Sequence, residues 1–326
     1  MRCLFRIAIA LVLAAIPATA HAADPAADLD ARLRAIALDA GGTLGVKVVH
    51  LESGRTAGLN ALGRFQMASV YKLPLAVVVL AKVDTGELSL EQEVEVRPGE
   101  LRRTGAKVDS WKPGSRVALS RLVDAMMTTS DNTACDVLIR LLGGAPVVDA
   151  WLDAHGYPGI DVSWSELRMA AVASGVGDLA KDGDCDHACL DALVAKVPKE
   201  KRAAAERAFE LDLHNTASPE DLARFLGALK RGELLSAPST ETLLAMMRRN
   251  TTGDRRIRAL LPKGTPVWDK TGTMGRSAND VGLVELPDGK GTLVVVALVK
   301  NSEKGYDARE TGIARVAKAA FDAFGR

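Results

Sequence analysis

Apolar residues recur at helical spacing from Asp28 onward, at Leu29, Leu33, Ile36 and Ala37, until Gly41-Gly42 end the run. Leu44-Gly-Val-Lys-Val-Val-His-Leu51 then reads as a strand, turned at Ser53-Gly54 into a partner that ends near Leu59. Val70 to Val83 is apolar on nearly every side, the mark of a helix buried all round. Pro74 is tolerated only near a helix start, which puts Ser69 at the N-terminal end. Three further helices follow: Leu119 to Met127, Thr133 to Leu142 closed by Gly143-Gly144, and Pro146 to His155 ended by Gly156. Ser218-Pro-Glu-Asp221 is a strong helix start, with an N-cap, a proline in the first turn, and acids facing the dipole.

The last third returns to strands. Thr265 to Asp269 leads into Lys270; Asp280 to Leu286 and Thr292 to Lys300 flank a Pro287-Asp288-Gly289 turn. Ile313, Val316, Ala317, Ala320 and Phe324 mark a closing amphipathic helix. Strands at both ends with helices between them predict an α/β (α+β) chain. One sheet is built from both termini, and a helical lobe is inserted roughly over residues 70–215. Residues 176–206 are charged and rich in Ala and Lys, as in a solvated helical excursion.

The first residues are expected to lie outside the fold. Arg2 and Arg6 precede an apolar run, Ile7 to Ile16, followed by small residues at Ala18, Ala20 and Ala22. Such a run is too short to span a bilayer but suits a secretory signal over residues 1–22, cleaved after Ala20 or Ala22. The remaining 23–326 are expected to form a single folded domain. Its charge is 42 basic residues less Arg2 and Arg6 against 41 acidic, a net near −1. That balance argues against nucleic acid and against an electrostatic membrane grip. With no second long apolar run, the mature chain is expected to be exported, periplasmic or secreted, without a membrane anchor.

In an oxidising compartment Cys185 and Cys189 favour a local disulfide, which needs a turn or distorted helix because an i,i+4 pair on a regular helix fits it poorly. A metal clip of Cys185, His187 and Cys189 is the alternative, short of a fourth ligand. The other histidines are scattered without zinc spacing, so no metal or cofactor is expected. Cys135 reads as a small buried residue in a helix.

Three short strings carry chemistry: Ser69-Val-Tyr-Lys72, Ser130-Asp-Asn132 and Lys270-Thr-Gly272. The first matches by chance about once in a chain this long, so only the combination is informative. Ser69 and Lys72, three apart, share a helix face near an N-terminus that favours developing negative charge. A partly desolvated lysine loses proton affinity and can serve as a base. Ser130 adds a second hydroxyl and Asn132 a carboxamide, while Lys270 ends an apolar strand where a lysine is costly. Together they form a kit for attacking a carbonyl through a covalent serine intermediate.

With this set the chain resembles the class A serine β-lactamases, of the penicillin-recognising serine hydrolase superfamily. Asn250-Thr-Thr-Gly-Asp-Arg-Arg-Ile-Arg-Ala259 with Leu261-Pro262 resembles the family segment ahead of its lysine-threonine-glycine strand. The likeness runs from about residue 28 to 326 and is interrupted mainly between 171 and 215. It implies an antiparallel sheet flanked by helices, a monomer, no cofactor, and a small β-lactam as substrate. Ser69 would be acylated, with backbone N–H groups of Ser69 and Thr273 as the oxyanion hole. Ser130 would protonate the departing nitrogen, tuned by Lys72 and Lys270. Asn132 would hold the substrate amide; Thr271 and Thr273, with Arg256 or Arg276, would receive its carboxylate, and Lys270 and Gly272 complete the substrate-binding set.

Glu166, ten residues past Gly156, matches the family's deacylating carboxylate; its alternative is a capping-box acid answering Ser163. The asparagine that usually follows four residues later is Ala170 here, after Met169. Two other readings share the acylating half: a D-alanyl-D-alanine peptidase or esterase, and a β-lactam-binding protein that stalls once acylated.

Overall fold

The computed structural model describes residues 25–104, 107–108, 111–177, 179 and 185–325. The leader expected at residues 1–22, with Cys3, lies outside the described residues. Five strands form the main sheet: β1 (Thr43–His50), β2 (Thr56–Leu59), β3 (Val267–Met274), β4 (Ser277–Glu285) and β5 (Thr292–Lys300). Their spatial order is β2-β1-β5-β4-β3, every pair antiparallel. Val46 faces Ala297 across β1 and β5, so the N-terminal hairpin is stitched to the C-terminal one.

Helices cover both faces. On one side lie α1 (Pro25–Ala40) and α11 (Tyr306–Phe324). On the other are α2 (Lys72–Asp84), α3 (Leu119–Thr128), α4 (Asn132–Leu141), α5 (Ala145–Ala154), α6 (Glu166–Ala173), α7 (His187–Val194), α8 (Lys199–Phe209), α9 (Pro219–Lys230) and α10 (Ala237–Arg248). The period-2 alternation of a strand sorts β5 between two cores. Val295, Ala297 and Val299 pack with α1 and α11, whereas Val294, Val296 and Leu298 pack with the helical side. Leu73 and Leu75 to Leu80 are fully buried, as an all-round apolar helix requires. Ser218 caps α9, its Oγ accepting the Asp221 N–H at 3.0 Å, with Pro219 in the first turn.

Some boundaries differ from the sequence reading. Lys270-Thr-Gly272 lies inside β3, which continues to Met274, rather than at the end of a strand. β4 opens at Ser277, three residues before Asp280, because Asn279 and Ser277 pair with Gly272 and Met274. Tertiary pairing extends both strands through residues with weak β-propensity. A short antiparallel pair, Phe65–Gln66 with Thr216–Ala217, was not legible in the sequence.

α7 buries no side chain and α8 only Phe209, in keeping with a solvated excursion. Cys185 and Cys189 are joined by a disulfide. Cys185 precedes the N-cap Asp186 and Cys189 sits in the first turn of α7, so the bond spans a helix entrance, with Cα atoms 5.2 Å apart. With both sulfurs bonded, the alternative metal clip does not form, and no cluster of potential metal ligands occurs among the described residues. Among those residues no helix is long and apolar enough to cross a membrane.

Candidate active site

Ser69 lies not in α2 itself but in the 3-10 turn Ala68–Tyr71 that leads into it. The turn is strained. Buried Ala68 has φ +46°, a left-handed conformation that costs a residue with a Cβ about 1–2 kcal/mol. Its neighbours hold it there. Asn279 Nδ2 on β4 donates to the carbonyls of Gln66 at 2.8 Å and Met67 at 3.0 Å. Gly272 on β3 packs so closely that a Cβ there would stand 2.3 Å from Met67 O and 3.1 Å from Ser69 N. Glycine is needed at that position for the strand to approach the nucleophile turn.

Lys72, the first residue of α2, is fully buried. Its Nζ donates to Ser130 O at 2.7 Å and to Asn132 Oδ1, and lies 3.4 Å from Ser130 Oγ and 3.2 Å from Glu166 Oε1. Ser130 takes φ +61° between α3 and α4, and Asp131 caps α4 by accepting the Ala134 N–H at 2.6 Å. Trp111 Nε1 donates to the other Asp131 oxygen at 2.8 Å. Asn132 opens α4, one residue ahead of the start expected at Thr133, and its Nδ2 donates to Arg103 O at 2.7 Å.

Lys270, also fully buried, reaches Ser130 Oγ at 3.0 Å from the opposite side. Ser130 therefore stands between two ammonium groups. Burial and the neighbouring Lys72 pull Lys270 down to about 7. β3 is the edge of the sheet, so half of its backbone groups point away from β4.

Glu166 is the first residue of α6, and Ser165 caps that helix by accepting the Arg168 N–H at 3.3 Å. Ser163, the expected capping partner, instead gives its N–H to Asn215 Oδ1 and its hydroxyl to Asp161. Glu166 is thus free of the capping-box role and turns to Lys72 and to Tyr71, whose Oη donates to Oε1 at 3.0 Å.

Sequence reasoning missed Asp136. Buried on α4, it accepts the N–H groups of Glu166 at 2.8 Å and Leu167 at 3.2 Å, and pairs with Arg102 Nε at 2.7 Å. Burial raises its carboxyl above the usual range, against the pull of Arg102. An aspartate one helical turn beyond Asn132, inside an apolar pattern, is the signal that could have found it.

Arg256 is buried beneath Thr273 and donates to its Oγ1 at 2.6 Å, to Tyr306 Oη at 2.6 Å and to Asn279 O at 2.7 Å, facing Glu310 at 3.2 Å. Thr271 Oγ1 lies 2.5 Å from Thr252 Oγ1. Arg276, the other arginine considered, is tied instead to Glu210 at the end of α8, with Nε 2.9 Å from Oε1, and to Glu303. That tie holds α8 against the β3–β4 turn. A pocket of about 500 Å3 opens there, lined by Ala170, Ala173, Arg202, Glu206, Phe209 and Met274.

Beside the turn that carries the Ser69 hydroxyl, two lysine amines, a second hydroxyl, a carboxamide and a carboxylate thus meet through one set of contacts, groups suited to moving protons at a reacting carbonyl. The chain as a whole is similar to known proteins. A model of the beta-lactamase enzyme family matches residues 28–324. The extended-spectrum beta-lactamase PER-1 of Pseudomonas aeruginosa is 30% identical over 90% of this chain and 86% of its own length. The beta-lactamase VEB-1 of the same organism is 28% identical over 84% of this chain and 83% of its own. The crystal structure of a beta lactamase from Xanthomonas campestris superposes with a TM-score of 0.75 at 27% identity, covering 92% of this chain and 98% of that one. With the fold, the three motifs and these likenesses in agreement, the chain belongs to the beta-lactamase enzyme family, as a class A serine member.

Proposed function

We propose that this protein is exported and hydrolyses β-lactam antibiotics through an acyl-enzyme on Ser69, which would confer resistance. The observation that carries the reading is the meeting of Lys72 and Lys270 on Ser130, with Lys72 also 3.2 Å from Glu166. Ser69 Oγ attacks the lactam carbonyl and gives up its proton to Lys72. The oxyanion is received by the backbone N–H groups of Ser69 and Thr273. As the C–N bond breaks, Ser130 supplies the proton to nitrogen and is replenished from the flanking ammonium groups. A water then loses a proton to Glu166 and attacks the ester, and Ser69 leaves as the alcohol.

Asn132 serves the substrate amide. Lys270, Thr271 and Thr273 serve its carboxylate, with the charge of Arg256 delivered through Thr273. The bonds of Arg276 to Glu210 and Glu303 favour Arg256 for that part. Export is supported by the Arg2 and Arg6 start, the apolar run and the small residues at 20 and 22. The mature protein acts as a monomer on a small molecule.

Incubating purified protein with a chromogenic cephalosporin, while following turnover and intact mass, tests the reading. Sustained turnover supports it. A persistent adduct supports a binding protein that stalls, the reading Ala170 favours; release of D-alanine from a peptide supports the peptidase. The intact mass of the exported protein reports cleavage after Ala20 or Ala22.

A further inference from the structure

The bond from Tyr71 to Glu166 belongs to no step described so far. Tyr71, two residues beyond Ser69, is fully buried. Its Oη donates to Glu166 Oε1 at 3.0 Å, and Lys72 Nζ stands 3.2 Å from the same oxygen. On its other side Cys135 Sγ lies 3.0 Å from Oη. A phenol has one proton to give and can accept another. With its proton given to the carboxylate, Oη accepts the thiol S–H, and a row of donors runs from Cys135 through Tyr71 to Glu166.

Resting on the hydrolytic reading above, we propose that Tyr71 is a positioning residue for deacylation: its hydroxyl, together with Lys72, occupies Oε1 of Glu166 and leaves Oε2 to take the proton of the attacking water. The need for such a device is visible one turn along α6. Ala170 lies on the same face as Glu166 and has no side-chain donor or acceptor to steer a water or the carboxylate. The steering therefore comes from beneath, from the buried side of the site. Burial pushes both the phenol and the thiol well above their ordinary ranges, so each keeps its proton at neutral pH and the direction of donation is set.

Tyr71→Phe removes one oxygen and keeps the ring. The acylation rate, read as the growth of the intact-mass adduct, is expected to stay within about twofold of wild type, which also shows that the variant is folded. Deacylation is expected to slow by about tenfold, the scale of a lost hydrogen bond to a charged group. Acylation and deacylation should therefore separate in this variant, which a general loosening of the packing would not produce. Cys135→Ala keeps the phenolic donor and should leave deacylation within about twofold of wild type.

Unchanged deacylation in Tyr71→Phe overturns the proposal. So does a Cys135→Ala deacylation that slows as far, since packing rather than the hydroxyl would then be responsible. If wild type never releases its adduct, the hydrolytic reading fails and this one falls with it. If wild type turns over and Glu166→Gln traps the adduct while Tyr71→Phe behaves as wild type, only this proposal is lost.

Discussion

Asp136 Oδ1 accepts the backbone N–H of Glu166 at 2.8 Å, so a buried carboxylate on α4 fixes where α6 begins. Its second oxygen takes the Leu167 N–H and Arg102 Nε, and Arg102 in turn donates to Cys185 O at 2.9 Å. Glu166 thus owes its position to another helix rather than to its own loop.

Asp136→Ala leaves the Arg102 guanidinium buried without its carboxylate and the Glu166 and Leu167 N–H groups without their acceptor. A stability loss of about 3–5 kcal/mol is expected, the usual cost of breaking a buried pair. Urea unfolding measures it, and a loss below 1 kcal/mol would show that the pair is not what holds α6. In protein that remains folded, deacylation should suffer more than acylation.

Ser69→Ala should form no adduct with a β-lactam. Glu166→Ala should acylate and keep the adduct, with turnover down by at least about 10³-fold. Intact-mass spectra after a short and a long incubation separate the two variants. Unchanged turnover without Glu166 would refute its role.

Gly272→Ala puts a Cβ 2.3 Å from Met67 O, backbone that Asn279 also holds. β3 or the Ser69 turn must shift to relieve the clash. Acylation should fall by about 10²-fold, as small misplacements of reacting groups do. A single-turnover acylation rate equal to wild type would contradict the close approach.

Lys270, at about 7, makes two predictions about pH. Its charge, needed for an anionic substrate, is lost as pH rises through that value in the free enzyme. kcat/KM should therefore decline on that side, and Lys270→Arg should move the decline to more alkaline pH, since arginine stays charged. For stability, the unfolded lysine at its ordinary value near 10.5 binds more protons than the folded one across the interval between the two. Unfolding free energy attributable to this group should rise with pH from about 7 to 10.5. Urea midpoints of Lys270→Met, compared with wild type across that range, should show the rise only in wild type.

The local elements were legible because each is written in a short stretch. The all-round apolar run after Ser69 is a buried helix, and Ser218-Pro219 starts α9. The three catalytic strings could be named because residue type and spacing within four positions carry them. The extension of β3 past Gly272 could not be read, since it depends on pairing with β4 across a turn. Nor could the choice between Arg256 and Arg276, which rests on where Glu210, Glu303 and Glu310 fall.

What the sequence determined by itself was the inventory: a hydroxyl, two lysines, an amide and a carboxylate, set on elements whose type follows from local periodicity. Only the tertiary structure decided how they serve one another. Tyr71 meets Glu166 across 95 positions and Lys270 meets Ser130 across 140. Contacts at such separations are fixed by which faces pack and which buried polar groups must be satisfied, and no local pattern encodes that.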